Sequence, residues 1–381
     1  MRNVSKESNR ANVTSSYERS FPSRRLGHKK PMTLTSKTEA CLERLQEAGP
    51  PRREDLISLL SLRDEKALQP LFFAADARRK ETVGDIVHLR GIVEFSNHCE
   101  RNCLYCGLRR ANRQLKRYRM TDREILEAAF AVKRANIATL VLQSGEDLFY
   151  DAEKLCRLIE SIKRETGLII TLSLGERQRE EYQAFRQAGA DRYLLKHETA
   201  SPSLYHRLRP GSRLENRLMC LGWLNDLGFQ TGSGNMVGLP GQDASVLADD
   251  IALINSLNAD MAGIGPFLPH PQTPLSPCPP GEVLPVLTVL ALVRLTRPAI
   301  HLPATTAMSV LHPEGRLKAL ASGANVFMPD FTPPAYRRLY DLYPGRSVDS
   351  EDPLSILNLL EKELNRYGRT ILPQIQQTLK A

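Results

Sequence analysis

The feature that most constrains this chain is a rhythm. From Asp85 onward, short runs rich in β-branched and aromatic residues alternate with longer stretches whose apolar residues recur at three- and four-residue spacing. Eight such runs stand at residues 87–95, 139–143, 169–174, 192–196, 230–237, 261–267, 302–306 and 325–328. Between them, stretches such as 122–134, 152–164, 213–227 and 244–257 read as amphipathic helices. Strands separated by helices pair in parallel, through crossover connections. Eight units in about 245 residues is the usual size of a closed barrel. The predicted fold class is therefore α/β, a (β/α)8 barrel of TIM type. A doubly wound open sheet is the alternative, because the pattern does not specify closure.

The barrel is expected to occupy residues 85–333. Residues 32–84 precede it as a helical segment broken by Pro50 and Pro51, and residues 334–381 follow it as a helical cap. Residues 1–31 contain eight Lys or Arg against Glu7 and Glu18 and read as a disordered basic tail. The chain's net charge of +9 thereby falls to +3 for the remainder, too little for a phosphate-binding face, so no nucleic-acid partner is expected. With 381 residues, 41% of them hydrophobic, the chain can bury a full core. It has no apolar run of about 18 residues and its head lacks a secretory segment, so a cytoplasmic protein with reduced cysteines and no membrane partner is predicted. Organelle import is the alternative reading of the Arg- and Ser-rich head.

In a barrel of this kind the working surface is the rim at the C-terminal ends of the strands. The run ends are polar: Cys99, then Ser144 to Asp147, Gly175 with Glu176, His197 with Glu198, Gly232 to Met236, Gly265 to Phe267, Thr305 with Thr306, and Met328 to Asp330. Cys99, Cys103 and Cys106 form a C-x3-C-x2-C loop directly after the first run. Three thiolates close in sequence can wrap one side of a metal centre but do not complete a four-ligand structural site. A 4Fe–4S cluster held this way keeps one iron open to the amino and carboxylate groups of S-adenosylmethionine (SAM). The spacing, in this position, is the radical SAM signature. Zinc with His98 as fourth ligand, a disulfide, and chance clustering of buried thiols are the alternatives. Tyr105, inside the loop, is expected to meet the adenine through its backbone. Cys41, Cys156, Cys220 and Cys278 have no such company and read as structural.

Side chains on a strand alternate faces, so Arg192, Leu194, Lys196 and Glu198 share one side of the fourth run, opposite Tyr193, Leu195 and His197. Pointed inward, the first set crowds two cations and a carboxylate on one wall, which a ligand should offset. A shift of one residue would turn them to the helices instead. Thr171 and Ser173 pair in the same way on the third run, and Gln143 tips the second. With Thr305, Thr306, Met236 and Met328 opposite, they outline a cationic chamber for a small anionic substrate.

These residues resemble a known family. The stretches Glu94-Phe95-Ser96-Asn97, Cys103 to Arg110, LQSGED at 142–147, TLSLGE at 171–176, ADRYLL at 190–195, HETA at 197–200, LRP…ENR at 208–217, MVGLPGQ at 236–242, GIGPF at 263–267, PATTAM at 303–308 and LYPG at 342–345 are similar to the FeFe-hydrogenase maturases of the HydE family, which are radical SAM enzymes. The resemblance covers residues 35–345. It implies that the three cysteines hold one 4Fe–4S cluster, that Ser144, Gly145 and Glu146 meet the SAM amino group, that Glu198 meets the ribose hydroxyls and that Arg217 clamps the methionine carboxylate. It further implies that Gln143, Thr171, Ser173, Arg192, Lys196, Thr305, Thr306, Met328 and Tyr343 surround the substrate, a small iron-containing precursor of the hydrogenase H-cluster. An external electron donor and other hydrogenase maturation proteins are the implied partners. Two departures stand out. Lys196 replaces the family's usual Arg, which keeps charge but loses the bidentate fork. No cysteine follows Cys278, where some members bind a second cluster. The rival readings are a methylornithine-synthase-like or biotin-synthase-like radical enzyme, whose substrate would be amino-acid-like, and a non-catalytic iron–sulfur scaffold.

Overall fold

The structure, a computed structural model, describes residues 36–47, 49–345, 353–366 and 368–371. The basic head at 1–31 lies outside the described residues. Ten strands are present among those described: β1 (Ile86–Ser96), β2 (Thr139–Ser144), β3 (Ile169–Ser173), β4 (Arg192–Leu194), β5 (Gln230–Ser233), β6 (Met236–Val237), β7 (Met261–Ala262), β8 (Gly265–Pro266), β9 (Val326–Phe327) and β10 (Thr370–Ile371). All their ladders are parallel. β1 pairs with β2, then β3, β4, β5 and β7 follow in order, while β9 pairs with the other side of β1.

The gap between β7 and β9 is bridged by residues 301–304. Met261 bridges to His301 and Pro303 to Val326, both in parallel sense. Ala262 N donates to His301 O at 3.0 Å, and Ala304 N to Val326 O at 2.9 Å. The hydrogen bonds thus run around a closed ring, and the (β/α)8 barrel expected from the rhythm is the fold observed. The doubly wound alternative falls.

The local causes are ordinary ones. Helix Asp122–Arg134 starts at a reciprocal cap between Thr121 and Glu124 and buries Ile125, Ala128, Ala129 and Val132 on one stripe. Helix Ala152–Thr166 is capped by Asp151 and stopped by Gly167, whose φ of 69° suits glycine. Helix Val283–Thr296 is apolar all round, and it is buried because helices Arg53–Leu60 and Glu65–Val83 of the leading segment pack over it. These two helices, with Ser36–Gln46, make the predicted N-terminal helices a cover for this side of the barrel.

Three details differ from the sequence expectation. The run at 230–237 is interrupted at Gly234, with φ of 143°, where a Cβ would lie 2.2 Å from Gly263 O. The run at 261–267 is interrupted at the facing residues, so each becomes two short strands. The seventh run contributes bridges rather than a full strand, and Thr306 already begins helix Thr306–Leu311. Finally, the C-terminal segment is not helical throughout: beyond helix Pro353–Arg366, β10 pairs with β1 at Ile86 and Val87. No helix among the described residues is long and apolar enough to cross a membrane.

Candidate active site

The cysteine loop leaves β1 at Ser96 and is fastened to the rim by backbone hydrogen bonds. Glu100 N donates to Glu146 O at 2.9 Å, Leu104 N to Leu208 O at 2.9 Å and Gly107 N to Leu342 O at 2.9 Å. Buried Asn97 braces its start, donating to Lys116 O and Leu339 O and accepting from Tyr118 N. The tip of β2 lies directly beneath, and Gly145 is what allows it: a Cβ there would stand 2.1 Å from His98 O and 2.7 Å from Cys99 Cβ. All three cysteines line one cavity of about 600 Å³ inside the ring. Burial pushes the Cys99 thiol up to about 11 and that of Cys106 higher still.

Beside the thiols sits a buried network of charges. Arg217 Nε is 2.9 Å from Glu176 Oε1 and its Nη2 3.5 Å from Glu146 Oε1. Arg101 pairs with Glu146 and, at 2.9 Å, with Glu176. Arg209 stands 3.7 Å from Glu146 and 3.8 Å from Glu198, and its Nη1 donates to Tyr105 Oη at 3.3 Å. Lys196 Nζ is 3.4 Å from Glu198 Oε2. Glu198 itself has φ of 67°, a left-handed backbone that a branched-chain-free but side-chain-bearing residue adopts at a cost of order 1 kcal/mol. Its backbone is locked there, N donating to Gly234 O and O accepting from Met236 N.

Two features of this arrangement fit a polar ligand beside a metal centre. The thiols and the Glu–Arg network face the same space. Several buried atoms at its edge carry no hydrogen bond, among them Thr171 Oγ1 and Arg209 Nε, and buried polar groups without partners are costly unless something else satisfies them.

Residues 93–254 match the Radical SAM superfamily. The [FeFe] hydrogenase maturase subunit HydE of Thermotoga maritima is 48% identical over 317 residues, covering 83% of this chain and 91% of that protein. The chain belongs to the HydE family of radical SAM enzymes. The 3-methylornithine synthase of Methanosarcina acetivorans is 30% identical over 275 residues, 72% of this chain and 77% of that one. The crystal structure of methylornithine synthase PylB shares the fold, with a TM-score of 0.79 at 26% identity over 88% of this chain and 98% of that chain. Membership implies an enzyme that uses a 4Fe–4S cluster and SAM.

Within this HydE-family barrel, the residues singled out by sequence come together with one exception. Tyr105, Ser144, Gly145, Glu146, Glu198 and Arg217 line the cavity with the cysteines. So do Gln143, Thr171, Ser173, Lys196 and Met236, and, from the far wall, Thr305, Thr306, Met328 and Tyr343. Arg192 does not line it. As the first residue of β4 it lies at the strand's N-terminal end, where its guanidinium donates to Gln230 Oε1 at 2.5 Å and to Thr139 Oγ1 at 3.4 Å. The inward register of the fourth run is nevertheless the one anticipated, since Tyr193 and His197 are buried on the other side, His197 Nδ1 against Ser233 Oγ at 2.9 Å.

Seven charged residues of the cavity lining were missed as site residues, Arg316, Asp330 and Arg337 among them. Arg90 and Glu94 of β1 line the cavity, with Arg90 Nη1 bonded to Met261 Sδ at 3.3 Å. The alternation argument, applied to the first run, would have found them, because 90, 92 and 94 share a face. Arg209 and Arg101 also line it. They sit in irregular segments, where no period signals direction.

Proposed function

We propose that this protein is a HydE-type maturase that uses SAM radical chemistry on a small iron-containing precursor during assembly of the FeFe-hydrogenase H-cluster. The observation that carries the reading is the meeting, in one 600 Å³ chamber, of three cysteine thiols, a Glu–Arg network and inward cations. Cys99, Cys103 and Cys106 would hold the cluster. A cluster held there would supply the electron for reductive cleavage of SAM.

The chain's own residues position that chemistry. Arg217, held by Glu176 and by the Tyr205 hydroxyl at 3.2 Å, presents its fork to the methionine carboxylate. Ser144, Gly145 and Glu146 receive the amino group, and Glu198 the ribose. Lys196 and Arg90, with Thr171, Ser173, Gln143, Thr305 and Thr306, provide the donors that meet an anionic substrate below.

One resident cluster is proposed, because the other cysteines are engaged elsewhere: Cys41 Sγ bonds Asp55 and Cys220 Sγ bonds Arg177 O, while Cys156 and Cys278 pack against apolar clusters. Other maturation proteins and the cytoplasm are the proposed partners and setting.

Likeness to 3-methylornithine synthase supports a second reading, a carbon-skeleton rearrangement of an amino acid. One experiment separates them. Reconstituted enzyme is incubated with dithionite, SAM and either an iron–cysteine carbonyl–cyanide precursor or lysine. An adenosylated iron product supports the maturase, and a rearranged lysine the mutase. A cluster-loaded protein that forms no 5′-deoxyadenosine in either mixture is a scaffold.

A further inference from the structure

The segment after the cysteines carries charge that the cavity does not use. Between Glu100 and Asp122 the sequence has seven cationic residues and no acidic one. Three are spent inward. Arg101 pairs with Glu146 and Glu176, Arg119 forks onto Asp147 at 2.7 and 2.9 Å, and Arg117 donates to the carbonyls of Asn97, Leu108, Arg109 and Asn112. The rest face outward. Arg110 is 67% exposed on its side chain with Glu100 4.0 Å away, Arg113 and Lys116 are exposed, and Arg109 is half-buried.

This cationic face is the outer skin of the cysteine loop. Arg110 N donates to Arg101 O at 2.8 Å and Ala111 N to Asn102 Oδ1 at 3.2 Å, and Arg101 and Asn102 lie between Cys99 and Cys103. Lys116 O accepts from Asn97, two residues before Cys99. A cluster on the three thiols would therefore lie one layer of backbone beneath this surface. Through Arg119 the face continues to Leu148 and Phe149, which are 63% and 50% exposed. Arg119 and Lys154 stand over the Phe149 ring at 4.5 and 3.8 Å. An apolar centre with a charged rim is the composition of a protein contact.

Electron tunnelling falls exponentially with distance, so a protein donor has to dock on the thinnest wall over the acceptor. An exposed cationic wall attracts and orients an acidic partner. We infer that Arg109, Arg110, Arg113 and Lys116, with Leu148 and Phe149, form the docking face for a small acidic iron–sulfur electron carrier. One electron passes from the carrier's reduced cluster to the cluster at Cys99, Cys103 and Cys106. The carrier is oxidised by one electron, the enzyme is reduced by one, and no atom moves. The inference rests on the cluster assignment made above.

The test compares wild-type holoenzyme with the triple variant Arg110→Glu/Arg113→Glu/Lys116→Glu, using a reduced bacterial two-cluster ferredoxin as probe. Stopped-flow absorbance should show cluster reduction by ferredoxin slowed about tenfold or more in the variant, with ferredoxin Kd raised by a similar factor. Raising salt from about 50 to about 500 mM should slow the wild type and speed the variant, whose added carboxylates repel the acidic carrier until they are screened. Dithionite, which needs no docking face, should give 5′-deoxyadenosine from both proteins at rates within about twofold, as expected for exposed charges. The milder variant Arg110→Gln/Arg113→Gln/Lys116→Gln should fall between. Equal ferredoxin rates, a wild-type rate indifferent to salt, or tighter binding of an RNA oligonucleotide than of ferredoxin would overturn the docking face. Failure of the dithionite arm in the wild type would instead overturn the cluster assignment.

Discussion

Gly175 has no side chain because Glu146 occupies its place: a Cβ at residue 175 would stand 1.8 Å from Glu146 Cγ and 2.4 Å from its carboxyl carbon. The glycine also has φ of 77°. The end of β3 is thus shaped to the carboxylate that Arg101, Arg209 and Arg217 share. Replacing Gly175 by Ala should displace Glu146 and strain the backbone by about 1 kcal/mol. SAM affinity, measured by calorimetry on the reconstituted enzyme, should weaken about tenfold or more, with retention of the iron content.

The cysteine loop is held by backbone bonds to Glu146, Leu208 and Leu342 that do not involve the thiols. Cys103→Ala should therefore leave the far-ultraviolet circular dichroism spectrum intact. Iron and acid-labile sulfide should be lost on reconstitution, together with all 5′-deoxyadenosine formation. A variant that keeps full cluster absorbance would refute the ligand assignment.

Arg217 is gripped from behind by Glu176 and Tyr205, which leaves its fork directed by partners that a lysine could not engage in the same way. Arg217→Lys retains the charge but loses planarity. The KM for SAM should rise about tenfold, one charged hydrogen bond's worth, while kcat falls less. An unchanged KM would move the carboxylate clamp elsewhere, with Arg209 the next candidate.

At the floor of the barrel His88 and His301 meet edge to face at 5.0 Å. Burial, then the charge of Arg90, lowers His88 to about 4 and His301 to about 2, against an ordinary value of 6.5. The unfolded chain binds these protons and the folded one refuses them, so their contribution to stability is present above pH 6.5 and is lost as pH falls from there through about 4. Each group adds a slope of up to about 1.4 kcal/mol per pH unit in that window. Buried Asp250, raised by burial to about 7, acts in the opposite sense, losing stability as pH rises from about 4 to 7. The difference isolates the histidines: His88→Gln/His301→Gln should flatten the acid side of a Tm-against-pH curve relative to wild type.

Much of the site was legible without coordinates because its signals are local. The thiols are three and four residues apart, and the polar run ends follow from the ordering of strand and loop. Lys196 and Glu198 were placed by alternation over a few residues, although β4 itself ends at Leu194. Arg192 was misplaced by the same argument. Alternation gives the face of a strand but not the height along the barrel, and Arg192 enters at the bottom. Arg101 and Arg209 were not found, since their directions are set by loop paths that no period describes.

Sequence alone determined the alternation of parallel strands and helices and the trio of thiols poised for an incomplete metal coordination, because each depends on spacing between near neighbours. Only the tertiary structure decided that the sheet closes through the bridges at His301 and Pro303, that the C-terminal segment returns to pair with Ile86 and Val87, and that Arg90 rather than Arg192 reaches the chamber. These outcomes join residues far apart in the chain. Closure and register are hydrogen-bonding choices among whole strands, settled only when the entire core is packed.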